Sequence, residues 1–112
     1  MLTFFWLLVG HALCDYPLQG DFLAKGKNHT NPLPGIPWYQ CLFWHAMIHA
    51  GAVVFITQNV WLGCFELILH MMIDYTKCES SAESDKEQKF EYNKDQFFHV
   101  VCKVLYVLLL KL

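Results

Sequence analysis

The stretch Trp38–Gln58, "WYQCLFWHAMIHAGAVVFITQ", runs for 21 residues without one acid, lysine or arginine. At about 1.5 Å of rise per residue, such a helix covers roughly 30 Å, the thickness of a bilayer core. Three more apolar segments accompany it, at Met1–Tyr16, Val60 to about Lys77 and Lys94–Leu112. A soluble four-helix bundle would need a polar outer face on every helix, and the second and third segments lack one. Charged residues make up only 16% of the chain, well under the roughly 25% usual in soluble domains, which favours the same reading. The expected fold is therefore all-α: a polytopic membrane four-helix bundle in one domain, residues 1–112. Its helices are expected at about 1–16, 38–58, 60–77 and 94–112, with polar loops at 26–37 and 78–93.

The first segment does not read as a secretory signal, because no basic residues precede it and Leu13 stands where cleavage wants a small residue. Pro17 interrupts it, and "LQGDFLAKGK" is expected to continue as a short interfacial helix. Pro32, Pro34 and Pro37 forbid regular structure in the loop that follows. Asn59 is expected to make the tight turn between the second and third segments. Trp6, Trp38, Tyr39, Trp44, Trp61, Tyr75, Tyr92 and Tyr106 supply aromatic belts at the membrane interfaces. Lys25, Lys27, Lys77, Lys86, Lys89 and Lys94 lie in or beside the first and third loops. The positive-inside rule then places loops 26–37 and 78–93 in the cytoplasm. The Asn28-His29-Thr30 sequon is discounted on that ground. The five cysteines, at 14, 41, 64, 78 and 102, are odd in number and never spaced as CxxC, so neither a disulfide framework nor a zinc knuckle is expected. A net charge of −2 and the absence of arginine argue against a nucleic-acid partner.

Each apolar segment carries one pair of ionisable residues four apart: His11/Asp15, His45/His49, His70/Asp74 and Asp95/His99. Residues i and i+4 share a helix face. With the topology above, all four pairs fall in the same half of the membrane. A mid-membrane ionisable residue costs on the order of 2.5–3.5 kcal/mol, so eight of them require mutual pairing, water or a metal. Five imidazoles and three carboxylates are ligands for zinc, manganese or iron, as one ion or as two sharing a bridging carboxylate. "HAMIH" lacks the glutamate of HExxH, which excludes a zincin. The competing reading is a hydrogen-bonded His/Asp network that only pins the helices together. Flanking polar residues extend each face: Glu66, Lys77, Gln96 and Lys103, with Gln19 and Asp21 after the proline. For a lysine such as Lys103, snorkelling to the interface is the commoner use.

"HALCDYPLQGD", "HAMIH", "HMMIDYTK" and "DQFFH" resemble, in order and over nearly the whole chain, the motifs of domain of unknown function 3307. That is a family of small membrane proteins of bacteria and their phages. The resemblance implies that His11, Asp15, Gln19, Asp21, His45, His49, His70, Asp74, Lys77, Asp95, Gln96 and His99 are signature positions, and it implies no activity. Membrane-bound metal-dependent hydrolases offer a looser analogy.

The expected function is a metal-binding membrane protein, with a divalent metal, zinc in the first place, held among His11, Asp15, His45, His49, His70, Asp74, Asp95 and His99. As a hydrolase at the cytoplasmic interface it would draw its catalytic groups from Asp74, Asp95 and Lys77. The alternatives are a proton or metal-ion relay and a non-enzymatic envelope accessory. The expected partners are the lipid bilayer and a second copy of the chain, in the inner membrane of a bacterium or of a phage's host.

Overall fold

The computed structural model describes residues 1–79 and 83–112. Five helices account for most of the chain: α1 (Leu2–Asp15), α2 (Gly20–Gly26), α3 (Trp38–Thr57), α4 (Val60–Cys78) and α5 (Asp85–Leu110). No strand occurs among the described residues. α3 packs against α1 and α4, and α5 packs against both α4 and α1, which closes a ring of four long helices. The short α2 lies against α3.

Local chemistry sets the helix ends. α1 stops before Pro17, and Gly20, at φ +68°, turns the chain into α2. Pro37, with φ fixed near −68°, leads into α3. The tight connection between α3 and α4 differs in one respect from expectation. Gln58, not Asn59, takes the left-handed conformation (φ 55°), while the Asn59 side chain caps α4 by accepting from the Leu62 N–H.

Of the loop expected at 78–93, residues 80–82 lie outside the described residues, and Cys78 and residues 85–93 are helical. Ser84 caps the helix by accepting from the Glu87 N–H, and the Glu87 carboxylate accepts from the Glu83 N–H just before the cap. Asp85 and Glu87 also suit the positive end of the helix dipole. α5 therefore starts nine residues before Lys94, because capping overrides a polar composition that resembles a solvated connection.

Among the described residues one helix, α3, is long and apolar enough to cross a membrane. That falls short of the four spans expected. α1 has only 14 residues, α4 carries Glu66, His70, Asp74 and Lys77, and the first half of α5 is charged.

The interior has two layers. Leu7, Val53, Leu62, Cys102 and Tyr106 form an apolar core near the α3–α4 turn. The four ionisable pairs fill the other layer. Tyr106, expected at an interface, is 1% exposed in the apolar core instead. All five cysteines are free.

The α3–α4 contact is close because Gly63 has no side chain. A Cβ there would lie 2.2 Å from Val54 Cγ2 and 3.3 Å from the Ala50 carbonyl. Gly63→Ala is therefore expected to destabilise the fold by about 1–3 kcal/mol, the usual cost of overpacking. A thermal melt with an unshifted midpoint would contradict this packing.

Candidate metal centre

Each pair reaches the centre from its own helix: His11 and Asp15 from the last turns of α1, and His45 and His49 from the first half of α3. His70 and Asp74 come from the second half of α4, and Asp95 and His99 from the middle of α5. Because successive long helices run antiparallel, these positions arrive at one level. Seven of the eight residues are buried, and the Asp15 side chain is 10% exposed. His70 faces His45, with Nε2 atoms 3.2 Å apart, and Asp74 Oδ2 lies 3.3 Å from His45 Nε2.

Ligand atoms of Asp15, His45, His49 and His70 all lie within 4.8 Å of one another, as do those of His70, Asp74 and His99. Both groups can hold a metal ion. Asp15 Oδ1 is 3.0 Å from His49 Nε2 and 3.3 Å from His45 Nε2. Four ligands placed tetrahedrally at 2.0–2.1 Å from zinc stand about 3.3 Å apart, so the spacing already approximates a coordination shell.

A hydrogen-bonded network alone explains this geometry poorly. His45 Nε2 faces Asp15, Asp74 and His70 at 3.2–3.3 Å, yet an imidazole nitrogen carries at most one proton. Buried His11 Nδ1, His45 Nδ1 and Asp95 Oδ1 have no hydrogen-bond partner. A network that existed only to pin helices would leave fewer groups unsatisfied.

Around the centre stands a supporting layer that the pairs do not include. Glu66, one turn before His70, accepts from His70 Nδ1 at 3.1 Å. Since an ionised carboxylate only accepts, His70 holds its proton on Nδ1 and turns the Nε2 lone pair inward. Lys103 donates to Glu66 Oε1 and Tyr106 to Oε2, each at 2.7 Å. Lys103 is 2% exposed, so it does not snorkel. Gln96 accepts from His11 Nε2 at 3.0 Å and donates to Asp15 Oδ2 and Asp95 Oδ2 at 3.0 and 3.2 Å, which fixes its amide orientation.

His11 and Asp95 fall outside both ligand groups. His11 Nε2 lies 3.3 Å from Asp15 Oδ2, and Asp95 Oδ1 lies 3.5 Å from His99 Nε2. Gln19 holds the Asp15 carbonyl at 2.9 Å, and Asp21 is exposed on α2. Lys27, which the sequence suggests only as a loop charge, donates to Asp74 Oδ2 at 2.8 Å. No helical periodicity connects it to the pairs. Glu66 and Lys103 do carry that signal, each four residues from a histidine of the centre.

The charges balance unevenly. Lys27 faces Asp74, Lys103 faces Glu66, and Lys77 lies 3.6 Å from Asp95. Asp15 meets only imidazoles and the Gln96 amide. A largely buried carboxylate without a cation is costly, and a metal ion between it and three imidazole nitrogens could supply one.

The ring of helices gathers three His/Asp pairs and one His/His pair into one centre, which makes this a small helical protein whose buried His/Asp groups could hold a metal ion. Residues 3–112 match the family described as "Protein of unknown function (DUF3307)", and the chain belongs to that family. No curated protein and no solved structure matches it.

Proposed function

We propose that this chain is an integral membrane protein holding a divalent metal, zinc in the first place, on Asp15, His45, His49 and His70. The observation that carries the reading is the convergence of their four ligand atoms within 4.8 Å at a buried point. Glu66 orients His70 as carboxylates orient metal-bound histidines elsewhere.

The exposed surface supports the membrane setting. Phe5, Trp6, Trp44, Phe55, Trp61, Phe65, Ile68 and Met72 all face outward, while the ionisable residues of the same helices face inward. An apolar exterior around a polar interior suits lipid better than water. It also accounts for the polar residues of α4, since Glu66, His70 and Asp74 are among its buried residues.

A metal in this centre would supply an activated water, and the activity proposed is hydrolysis of a substrate presented at the cytoplasmic face of the membrane. Asp15, His45, His49 and His70 hold the ion, while Lys27 lies 2.8 Å from Asp74 and Lys77 3.6 Å from Asp95. A transmembrane relay finds less support. The layer beyond Glu66 and Lys103 is the apolar core of Leu7, Val53 and Leu62, and a relay needs polar groups across the full thickness.

Elemental analysis of the protein, purified in detergent without chelator, tests the reading. At least about one equivalent of a transition metal is expected, since sites of this ligand set bind zinc tightly. Protein that comes out metal-free and takes up no zinc on titration would sink it.

A further inference from the structure

The approach of Asp74 and Asp95 to His99, together with an unpartnered carboxylate oxygen on Asp95, points to a second ion. We propose that His99, Asp74 and Asp95 form a second cation subsite, so that the centre is dinuclear, with its open side on a cleft between α4 and α5. This inference rests on the metal reading above.

The geometry starts from His70. Its Nδ1 is engaged by Glu66, so only Nε2 is available, and that atom serves one ion at a time. Assigned to the group with Asp15, His45 and His49, it leaves Asp74 and His99 as a separate pair of ligands. Asp74 is placed to bridge, since Oδ2 lies 3.3 Å from His45 Nε2 and Oδ1 lies 3.1 Å from His99 Nε2. A carboxylate spanning two ions is the usual link in such centres.

Asp95 completes the set. Its side chain is 3% exposed, its Oδ1 has no hydrogen-bond partner, and that atom stands 3.5 Å from His99 Nε2. A buried carboxylate oxygen left unpaired is costly unless something else meets it, and a cation is the partner this position lacks. Gln96 and Lys77 approach its other oxygen and leave Oδ1 free.

The ligands of both subsites are buried, save the Asp15 side chain at 10% exposed. Asp95 lines a cavity of about 60 Å³ that also meets Thr76, Lys77 and Lys94. A single water needs roughly 10–15 Å³ of this kind of volume, so several waters fit. That cavity gives the second ion room for water among its ligands. Lys77, partly buried at the cavity edge, lies 3.6 Å from Asp95 Oδ2 and over the Tyr92 ring.

Manganese titration of the detergent-solubilised full chain, stripped of metal and followed by electron paramagnetic resonance, decides the matter. The expected result is two equivalents bound, with the spin-coupled spectrum of two adjacent ions. Asp95→Asn and, separately, His99→Ala should each weaken the second equivalent by about tenfold or more, given that even supporting partners are worth about 10–100-fold, and leave the first in place. One equivalent with an uncoupled spectrum in the unaltered protein would overturn the dinuclear centre and leave the single-metal reading standing. No binding would overturn both. Because the unaltered protein gives the stoichiometry, a variant that fails to fold does not shelter the proposal.

Discussion

Lys103→Met should destabilise the bundle by about 3–5 kcal/mol, the cost of leaving one member of a buried ion pair without its partner. Lys103 and Glu66 are each 1–2% exposed, and their 2.7 Å contact joins α5 to α4. Methionine nearly matches lysine in volume, so the loss would come from the charge and not from a cavity. The double variant Lys103→Met with Glu66→Gln should recover much of that stability, because a neutral amide is far cheaper to bury than a carboxylate. A denaturation series on the two single variants and the double one measures the coupling. Additive single effects would mean that the pair contributes no mutual stabilisation.

Metal binding should suffer most from His45→Ala. His45 Nε2 stands 3.2–3.3 Å from His70, Asp15 and Asp74, so its ring belongs to one ligand group and adjoins the other. Its loss should lower affinity by more than the about 10–100-fold that removal of a supporting residue costs, and the protein should come through purification essentially metal-free. Acidification should have the same direction of effect. A proton and a metal compete for each imidazole nitrogen, so binding releases protons and occupancy falls as pH is lowered. Metal content measured after dialysis at neutral and at mildly acidic pH checks this. Occupancy that does not change across that interval would argue that histidines are not the ligands.

The single α-carbon spacing of four residues made most of the centre legible before any fold was known. Eight ionisable residues, two per helix and at matching depth, could only be accommodated together, and the helices bring them together. Glu66 and Lys103 were visible as extensions of two of these faces, but their roles were not. Whether a lysine near a helix end reaches outward or inward depends on what the neighbouring helix offers, and here α4 offers Glu66. The same is true of Tyr106, an interfacial aromatic by composition whose hydroxyl instead meets Glu66 Oε2. The start of α5 was misjudged for a different reason. Ser84 caps the helix through the Glu87 N–H, yet the surrounding charge gave those residues the composition of a loop.

What the chain's sequence determined by itself was local: where apolar runs form helices, where prolines and Asn59 end or begin them, and which residues share a face. These follow from backbone geometry, in which each residue acts through neighbours three or four positions away. The tertiary structure alone decided which faces meet. It put His45 against His70 across 25 positions, Lys103 against Glu66 across 37 and Lys27 against Asp74 across 47. It also separated ligand from support, leaving Asp95 Oδ1 free and Glu66 saturated. Such pairings depend on the rotation and relative level of whole helices, which packing of the full ring fixes and no short-range pattern encodes.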